Sequence, residues 1–532
     1  MKKKLTSLLC LILALTMVFT LAACGTENTP VEDDPVENKP VDEKPADDTQ
    51  GEEEREPVEL VFYSFYNIDA PGKEDTIAAV NEYLKEKLNT TVDFRLYLQS
   101  EYKEVVSTIF ASGAEMDALA VGSIGVDFVT NMTKNAFLPL DDYIDEYLPG
   151  TKELLPEAAW AAYSSGGKTY GVCSIKDLTA ALGMWTNDEF LADLGMEFPA
   201  EYNTFFDLVD WWKEVKAARD AKYPELANQE ILDLNNVNQP AYWFQLDIPL
   251  GSYAVPLTVV NIPGEPSFSS IAADGSEVTS LFYTEEYREF CKNIRGLIDC
   301  LVINEFGVGN INQYTTDGQA LGRPSWGGLR VTGVDYETTI HRAKNATATT
   351  SYMQSVGWAL PVQCSNVERT LEVIELLNTD QYLATVLRFG PEGTGWTDKD
   401  NDGVLEFEGT ANADAGSRYW YNWYGPGLGA MTASKAPEGY PANFAEMIHE
   451  MNAAGLPSAN MGFVYDSSNV QTELAACNSV AAQYTEILHK GASADVDAIV
   501  DEFVEKLKAS GMDTIIADVQ SQLDAWRAEN VK

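Results

Sequence analysis

A short acidic run late in the chain has the residue types and the spacing of a calcium-binding loop. Asp398, Asp400 and Asp402 stand at alternate positions, and Gly403 follows them directly. Calcium takes about six to eight oxygen ligands, and a loop of this kind supplies them from alternating carboxylates and from a backbone carbonyl. The carbonyl of Val404 lies at the place where that backbone ligand is expected.

Glu406 would add a further carboxylate to this set, but the match ends there. The acid that closes a calcium loop at its twelfth position is missing, because Gly409 stands there and Glu408 lies one residue short. An Asp-Gly pair is also typical of a plain hairpin turn. The sequence therefore predicts either a structural calcium site or a simple turn, and no other cofactor is expected.

A second group of residues has the chemistry of a sugar site. Sugar rings have apolar C–H faces, and Trp and Tyr present flat apolar surfaces with a polar edge. Such rings bind together with a few polar groups, and core packing is the alternative for each ring. Ser123 ends a predicted strand and is able to donate to a ligand, or else it is a turn residue. The candidate ligand-binding residues are Tyr63, Tyr66, Ser123, Trp243, Trp326, Trp396 and Trp423.

Trp326 is the strongest candidate of this group. It stands between Pro324-Ser325 and Gly327-Gly328, where the neighbouring residues offer few side chains to pack around its ring. Trp211 and Trp212, by contrast, lie inside a predicted helix and are expected in the core. The sequence therefore predicts that the ring of Trp326 stacks on a ligand.

The familiar catalytic motifs are incomplete or absent in the sequence. Residues 167–169 (GKT) resemble the end of a phosphate-binding loop, but Ala162 stands where its first glycine is required. His341, His449 and His489 are far apart and form no HExxH pair. An acid pair for glycoside hydrolysis is compatible with so acidic a chain, yet no pair stands out. The chain is therefore expected not to be an enzyme.

The N-terminus has the pattern of an exported, lipid-modified protein. Lys2, Lys3 and Lys4 precede an uncharged run that extends to Ala23, which is the form of a signal peptide over residues 1–23. The sequence Leu-Ala-Ala before Cys24 is similar to a bacterial lipobox, in which the cysteine receives lipid, palmitate included. A plain signal peptide or a single membrane anchor is the alternative. We expect a lipid anchor on the extracytoplasmic face of the cell membrane.

The charge balance limits the partners. The chain has 82 Asp and Glu against 36 Lys and Arg, a net charge of −46, so nucleic acid is excluded as a partner. Such a surface also repels anionic lipid, which leaves the lipid on Cys24 as the membrane attachment. The five cysteines after Cys24 form no CxxC pair, and most are expected to be small buried residues.

Residues 24–57 predict a disordered linker. Pro30, Pro35, Pro40 and Pro45 alternate with acidic residues, so this segment has little to bury and repels itself. Its expected role is to hold the folded body away from the bilayer.

The body opens with alternating strands and helices. Residues 58–63, 92–96 and 117–121 predict buried strands, and residues 76–87 and 101–112 predict the helices between them. This order is typical of a parallel sheet flanked by helices. Further helices are predicted at 187–195, 203–219, 284–299, 366–377, 470–488 and 495–526.

Several motifs resemble the family 1 extracellular solute-binding proteins, in an order that covers nearly the whole mature chain. Two departures stand out: Cys173 replaces the usual proline of one motif, and Phe389 replaces the tyrosine of another. The matching segments are 167–172 (GKTYGV), 187–199, 356–361 (VGWALP), 389–393 (FGPEG), 462–466 (GFVYD), 478–484 and 520–526 (QSQLDAW).

This resemblance implies an α/β fold of two lobes, each with a mostly parallel sheet flanked by helices and with a ligand cleft between them. The implied first lobe comprises residues 58–172 with about 361–460, and the second comprises 173–360 with about 461–532. The chain would cross between the lobes just after Tyr170 and again near Pro361, with a third crossing allowed.

The resemblance also implies a function. The protein would be the extracytoplasmic substrate-binding component of an ABC importer, a monomer that delivers a sugar or oligosaccharide to permease subunits in the membrane. The position of Trp326 looks like that of a stacking aromatic in maltose-binding-type proteins. A surface adhesin or sensory carbohydrate-binding module is one alternative, and a secreted glycoside-active enzyme is another.

Overall fold

The folded body begins with a strand that is mostly apolar and mostly buried. The computed structural model describes residues 55–65, 72–122, 125–179, 182–203, 205–232, 247–251, 256–260, 272, 274–303, 322–326, 338–343, 346–413, 429–438, 440 and 442–531. The first elements are β1 (Val58–Phe65), α1 (Lys73–Leu88), β2 (Thr90–Tyr97), α2 (Gln99–Ala111) and β3 (Ala118–Val121).

Local sequence explains why these elements form. The last six residues of β1 are all buried, as expected for a strand covered on both faces. Helix α1 has Glu74 and Asp75 in its first turn and Lys85 and Lys87 in its last, which complements the helix dipole at both ends. It ends at Asn89, which adopts the left-handed conformation. Strand β1 pairs in parallel with both β2 and β3, so the predicted β-α-β-α-β unit is confirmed.

The chain then forms short helices and strands before it enters a second body. In the first body lie α3 (Phe128–Thr133), α4 (Ile144–Tyr147), α5 (Pro149–Leu154), α6 (Glu157–Ala162), β4 (Ser164–Ser165), β5 (Lys168–Thr169) and β6 (Val172–Cys173). The second contains β7 (Leu182–Asn187), α7 (Asp188–Leu194), α8 (Val209–Lys222), β8 (Asp247–Gly251), β9 (Pro256–Val260), α9 (Glu285–Asp299), β10 (Gly322–Trp326) and β11 (Thr338–Arg342).

The chain returns to the first body and finally to the second. The returning part contains β12 (Thr347–Ala348), α10 (Thr350–Met353), β13 (Gly357–Ala359), α11 (Val367–Thr379), α12 (Gln381–Phe389), β14 (Val404–Leu405), β15 (Ala436–Pro437), α13 (Phe444–Ala454) and β16 (Leu456–Pro457). The final part contains α14 (Gln471–Leu488), α15 (Val496–Ala509) and α16 (Met512–Asn530).

The two main sheets differ in strand direction. The first has the order β2-β1-β3-β13-β6, and its β13 runs antiparallel to β3 and β6. The second has the order β10-β7-β11, with both pairs antiparallel. A mostly parallel sheet was expected in each lobe. For the second lobe this expectation is corrected, because its described strands β10, β7 and β11 are antiparallel. The chain reaches β10 and β11 after long excursions, and antiparallel neighbours need no helical crossover.

Two separate hydrophobic cores define the two lobes. The first core holds residues from Leu60 to Leu178 and from Ala348 to Leu387, with Ala430. The second holds residues from Met184 to Ala343 and from Phe463 to Leu523. From here on, the first lobe and the second lobe are the parts of the chain around these cores.

Within the residues that the structure describes, the chain therefore crosses between the lobes three times. The core changes between Leu178 and Met184, then between Ala343 and Ala348, and last between Met461 and Phe463. The third change lies close to the predicted boundary at 461. The second lies before the predicted boundary at 360, because β13 completes the first sheet.

The predicted signal peptide, the predicted lipidation site Cys24 and most of the predicted linker over residues 24–57 lie outside the described residues. Among the residues that the structure describes, no helix is long and apolar enough to cross a membrane. Four of the five described cysteines, Cys173, Cys291, Cys364 and Cys477, are buried, and Cys300 is exposed. The prediction that most of them are small buried residues is confirmed.

Candidate functional site

A buried charge pair lies just before the first crossing. Lys176 and Asp177 are 7% and 4% exposed, although charged side chains are rarely buried unless they are paired. The Lys176 ammonium lies 3.7 Å from Asp177 Oδ1 and donates to the Asp177 carbonyl over 3.0 Å. It also lies 4.3 Å from the ring centre of Tyr352, a cation–π distance. Both charges are therefore held inside the protein by specific partners.

Asn452, at the end of α13, fixes the backbone around this pair. Its Oδ1 accepts from the Leu178 amide over 2.7 Å, and its Nδ2 donates to the Lys176 carbonyl over 2.7 Å. The Tyr352 hydroxyl donates to Asp177 Oδ2 over 3.3 Å. Burial raises the pKa of Asp177, and the neighbouring Lys176 opposes that shift. The crossing is thus anchored from two later parts of the chain.

The second crossing runs beside the segment that leads into the third. Strand β12 pairs in parallel with β16, so that Thr347 lies beside Leu456 and Ala348 beside Pro457. The segment that leads into the third crossing also approaches the first, since a Cβ atom on Gly455 would lie 2.4 Å from Thr179 Cγ2. The connections between the lobes that the described residues show therefore lie close together.

The backbone of Trp326 lies next to this place. Trp326 ends β10 and pairs with Leu182, the first residue of β7. Leu182 follows the first crossing, in which Leu178 still belongs to the core of the first lobe. The second sheet thus presents this end of β10 beside the first crossing. The ligand-stacking role of Trp326 stays a prediction.

Two other predicted ligand residues lie in the interior. Tyr63 is 1% exposed, its ring is parallel to Tyr97 at 6.3 Å, and its hydroxyl accepts from Arg95 over 2.8 Å. Trp396 is 2% exposed and its indole N–H donates to the Gly390 carbonyl over 2.9 Å. Both rings pack within the fold, and this conformation supports no ligand contact by either of them.

Trp396 belongs to a small core that the loop forms with itself. The other members of this core are Phe389, Leu405 and Phe407. The remaining predicted ligand residues, Tyr66, Ser123, Trp243 and Trp423, lie outside the described residues.

The acidic run forms a cluster. One carboxylate oxygen from each of Asp398, Asp400 and Asp402 lies within 4.8 Å of the others. The Asp398 side chain is 5% exposed, and its Oδ2 accepts from Lys435 over 2.6 Å. Its Oδ1 is buried without a hydrogen-bond partner, and such an oxygen is costly unless a cation or donor meets it. The hydrogen bond from Lys435 lowers the pKa of Asp398.

The other predicted ligands are placed differently. Glu406 Oε2 accepts from the Lys399 amide over 3.0 Å and from Thr397 Oγ1 over 3.2 Å. The backbones of Thr397 and Glu406 also exchange two hydrogen bonds, of 3.0 and 2.8 Å. At the turn, the Val404 amide donates to Asp402 Oδ1 over 2.8 Å. The structure therefore brings three of the five predicted ligands together, while the Glu406 carboxylate closes the turn.

The sequence reasoning missed the residues that hold the crossings, above all Lys176, Asp177 and Asn452. A signal was present for two of them, because Lys176-Asp177 interrupts a segment that is otherwise without charge. Asn452 gave none, since an asparagine near the end of a helix is common in its own right.

The chain resembles known proteins over most of its length. Residues 459–528 match a family model described as a domain of unknown function (DUF3502). The chain is 20% identical over 471 residues to a carbohydrate ABC transporter substrate-binding protein of Streptococcus pneumoniae serotype 4 (strain ATCC BAA-334 / TIGR4), which covers 86% of this chain and 89% of that protein.

Solved structures share its architecture. The N-glycan transport solute-binding protein NgtS of Streptococcus pneumoniae matches with a TM-score of 0.69 at 18% identity, over 89% of this chain and 100% of that one. An EF-hand mutant of the S. pneumoniae substrate-binding protein FusA, in complex with fructo-nystose, matches with a TM-score of 0.51 at 18% identity, over 89% and 100%. The likeness establishes the predicted fold: this chain has the two-lobed α/β fold of solute-binding proteins.

Proposed function

We propose that this chain is the substrate-binding component of an ABC importer and that its ligand is an oligosaccharide. The observation that carries the proposal is that the two lobes have separate hydrophobic cores and are joined by crossings that lie close together. Such a body is able to close around a ligand by rotation at a few connecting residues. Binding and delivery without turnover is the proposed activity, so the chain would not act as an enzyme.

The ligand class is supported by what the similar proteins bind or transport. One is named for carbohydrate transport, one for N-glycan transport, and one was solved with fructo-nystose. These ligands contain sugar rings. Their apolar ring faces suit aromatic side chains, and their hydroxyls suit amide and carboxylate groups.

A thermal-shift screen on the purified protein tests this proposal. The panel would contain mannose–N-acetylglucosamine oligosaccharides, fructo-oligosaccharides, their monosaccharides, and short peptides as a control class. A ligand present at 100 times its Kd stabilises the native state by about 2.7 kcal/mol. A raised Tm with an oligosaccharide and unchanged sugar afterwards is the expected result. Release of shorter sugars would instead favour the glycoside-active enzyme, and a shift with peptides alone would contradict the ligand class.

We also propose the membrane attachment. Lipid on Cys24 would hold the protein on the extracytoplasmic face, with residues 24–57 as the tether. Permease subunits in the same membrane are the proposed partners, and a single copy of the chain is the proposed binding unit. The support is the lipobox-like sequence before Cys24 and the proline-rich acidic stretch behind it.

Trp326→Ala is expected to weaken oligosaccharide binding by at least about tenfold while stability falls only modestly. Truncation of an aromatic anchor in a binding site commonly costs about 2 kcal/mol or more. The support from the structure is the backbone pairing of Trp326 with Leu182, next to the first crossing. Calorimetry with the best ligand of the screen measures the effect, and Trp396→Phe, a change in a buried ring, is the control. A large loss of stability with intact affinity would remove Trp326 from the site.

We propose that the acidic cluster holds a structural calcium ion. Asp398, Asp400 and Asp402 would supply carboxylate oxygens, and the buried unpartnered Oδ1 of Asp398 fits a cation ligand. A similar protein is described as an EF-hand mutant, and an EF-hand is a calcium loop. When bound, the ion would offset two of the three negative charges and hold the loop that carries Trp396.

A chelator is expected to lower the Tm of the wild-type protein by a few degrees. The physical reason is that an ion bound to the native state alone stabilises that state. Asp400→Ala is expected to abolish the sensitivity, whereas Glu408→Ala, which changes a neighbouring acid outside the cluster, keeps it. Scanning calorimetry with and without added calcium measures this. Identical melting curves for the wild type in chelator and in calcium would contradict the calcium site and favour a simple turn.

A further inference from the structure

The C-terminal block, residues 459–528, begins at the third crossing. Met461 packs against the core of the first lobe, and Phe463 belongs to the core of the second. Gly462 between them has a φ of +88°, and a Cβ atom there would lie 2.9 Å from the Ala161 carbonyl of the first lobe. The chain therefore passes from one lobe to the other at a single glycine in a left-handed conformation.

Asn460 connects this crossing to both lobes. It is 2% exposed, and its carbonyl accepts from Thr350 Oγ1 of the first lobe over 3.3 Å. Its Nδ2 donates to the Gly275 carbonyl over 2.9 Å, just before the second-lobe core residue Val278. A buried amide with partners on both sides restrains the backbone on which it stands.

Arg527, near the end of α16, completes this arrangement. Its Nη1 donates to Asn460 Oδ1 over 2.7 Å and to the Asp274 carbonyl over 3.2 Å. Its side chain is 16% exposed, and Nη2 lies 3.9 Å from Asp274 Oδ2. Hydrogen bonds from a charged donor are about twice as strong as neutral ones. Arg527, near the C-terminal end of the block, is thus hydrogen-bonded to Asn460, near its N-terminal end.

Gln520 attaches α16 to the second lobe through contacts that do not include the crossing. It accepts from the Val278 amide over 2.7 Å and donates to the Ser276 carbonyl over 2.8 Å. These contacts anchor α16 on the same second-lobe segment that Arg527 reaches. They do not involve Asn460, so the two residues separate the anchoring of the helix from the contact with the crossing.

We propose that Arg527 is a latch on the hinge between the lobes. By holding Asn460, it limits backbone rotation at Gly462 and so sets how readily the two lobes change their angle. The C-terminal block then has a defined role, in which Arg527 near its end holds Asn460 near its start in position. Arg527 is a positioning residue, since it acts on the hinge through Asn460. This role concerns the hinge and holds for any ligand of the protein.

Hydrogen–deuterium exchange of the full chain, followed by mass spectrometry without ligand, tests the proposal. In Arg527→Gln, peptides covering residues 456–463 are expected to exchange about tenfold faster, because loss of a charge-assisted bond to a buried acceptor favours local opening. The Gly462 amide, which donates to Thr350 Oγ1 over 2.9 Å, is among those affected. Peptides from α15 are expected to keep the wild-type rate.

Gln520→Ala is the matched control, because it removes the hydrogen bonds of α16 to Ser276 and Val278 and none of the crossing. It is expected to leave residues 456–463 within about twofold of the wild type, and Arg527→Lys is expected to restore most of the protection. A change of less than about twofold in Arg527→Gln overturns the latch, as does equal acceleration in Gln520→Ala. If Arg527→Gln does not fold, Asn460→Ala breaks the same contact from its other side and must give the same local acceleration.

Discussion

Replacing Trp358 with alanine is expected to lower the free energy of unfolding by about 3–5 kcal/mol. Trp358 is 1% exposed in β13, the strand that joins β3 to β6 in the first sheet. Its ring meets Phe62 of β1 edge-on, with 5.2 Å between the ring centres. The truncation would leave a cavity between two strands that cannot collapse without breaking the sheet. Urea unfolding followed by circular dichroism measures the loss.

Trp358→Phe is the control for this prediction. The indole N–H of Trp358 is buried without a hydrogen-bond partner, so phenylalanine removes volume without removing a hydrogen bond. It is expected to cost less than half as much as alanine. A loss below about 1 kcal/mol for the alanine variant would mean that β13 is not part of the core.

Asp177→Ala is expected to destabilise the protein by about 3–5 kcal/mol, because it leaves the buried Lys176 ammonium without its counter-charge. The contacts that hold the pair, from Asn452 and Tyr352, leave Lys176 little freedom to reach water. The same unfolding experiment measures the loss. The double variant Lys176→Met with Asp177→Leu removes both charges and is expected to recover most of the stability.

An exposed ion pair provides the comparison. Lys152 and Asp145 also form a salt bridge, but their side chains are 55% and 83% exposed. Lys152→Ala is expected to change stability by about 1 kcal/mol or less, since exposed pairs are screened by water and salt. Equal effects of Asp177→Ala and Lys152→Ala would contradict the assignment of a buried charge pair just before the first crossing.

The start of the fold could be predicted because its signals are local. The apolar run of β1 and the capped, amphipathic α1 each identify themselves within about ten to fifteen residues. The short connections then leave few ways to pair β1, β2 and β3. Strand β13 is different, since a three-residue apolar segment is compatible with either core. Its pairing with β3 joins residues that are far apart in the chain. For that reason the predicted lobe boundary at 360 lies later in the chain than the change of core between Ala343 and Ala348.

The candidate site was predicted less completely, for the same reason. Trp396 stands among glycines and acids, which favours an exposed ring, yet it is buried in a small core with Phe389, Leu405 and Phe407. The alternating acids were found because calcium loops carry their ligands in one short segment. Asn460 and Arg527 are 67 residues apart in the chain, and no local pattern indicates that they meet.

The pairing of β12 with β16 has a mechanical consequence. It joins the second crossing to the segment that leads into the third, through bonds such as Leu456 N to Ala346 O at 2.8 Å and Ser458 N to Ala348 O at 2.9 Å. Two lobes connected by this ribbon and by the first crossing swing most easily about the line through both attachments. Twisting or sliding would stretch these bonds. Because few orientations are open to the lobes beforehand, little orientational entropy is lost when they shut on a ligand.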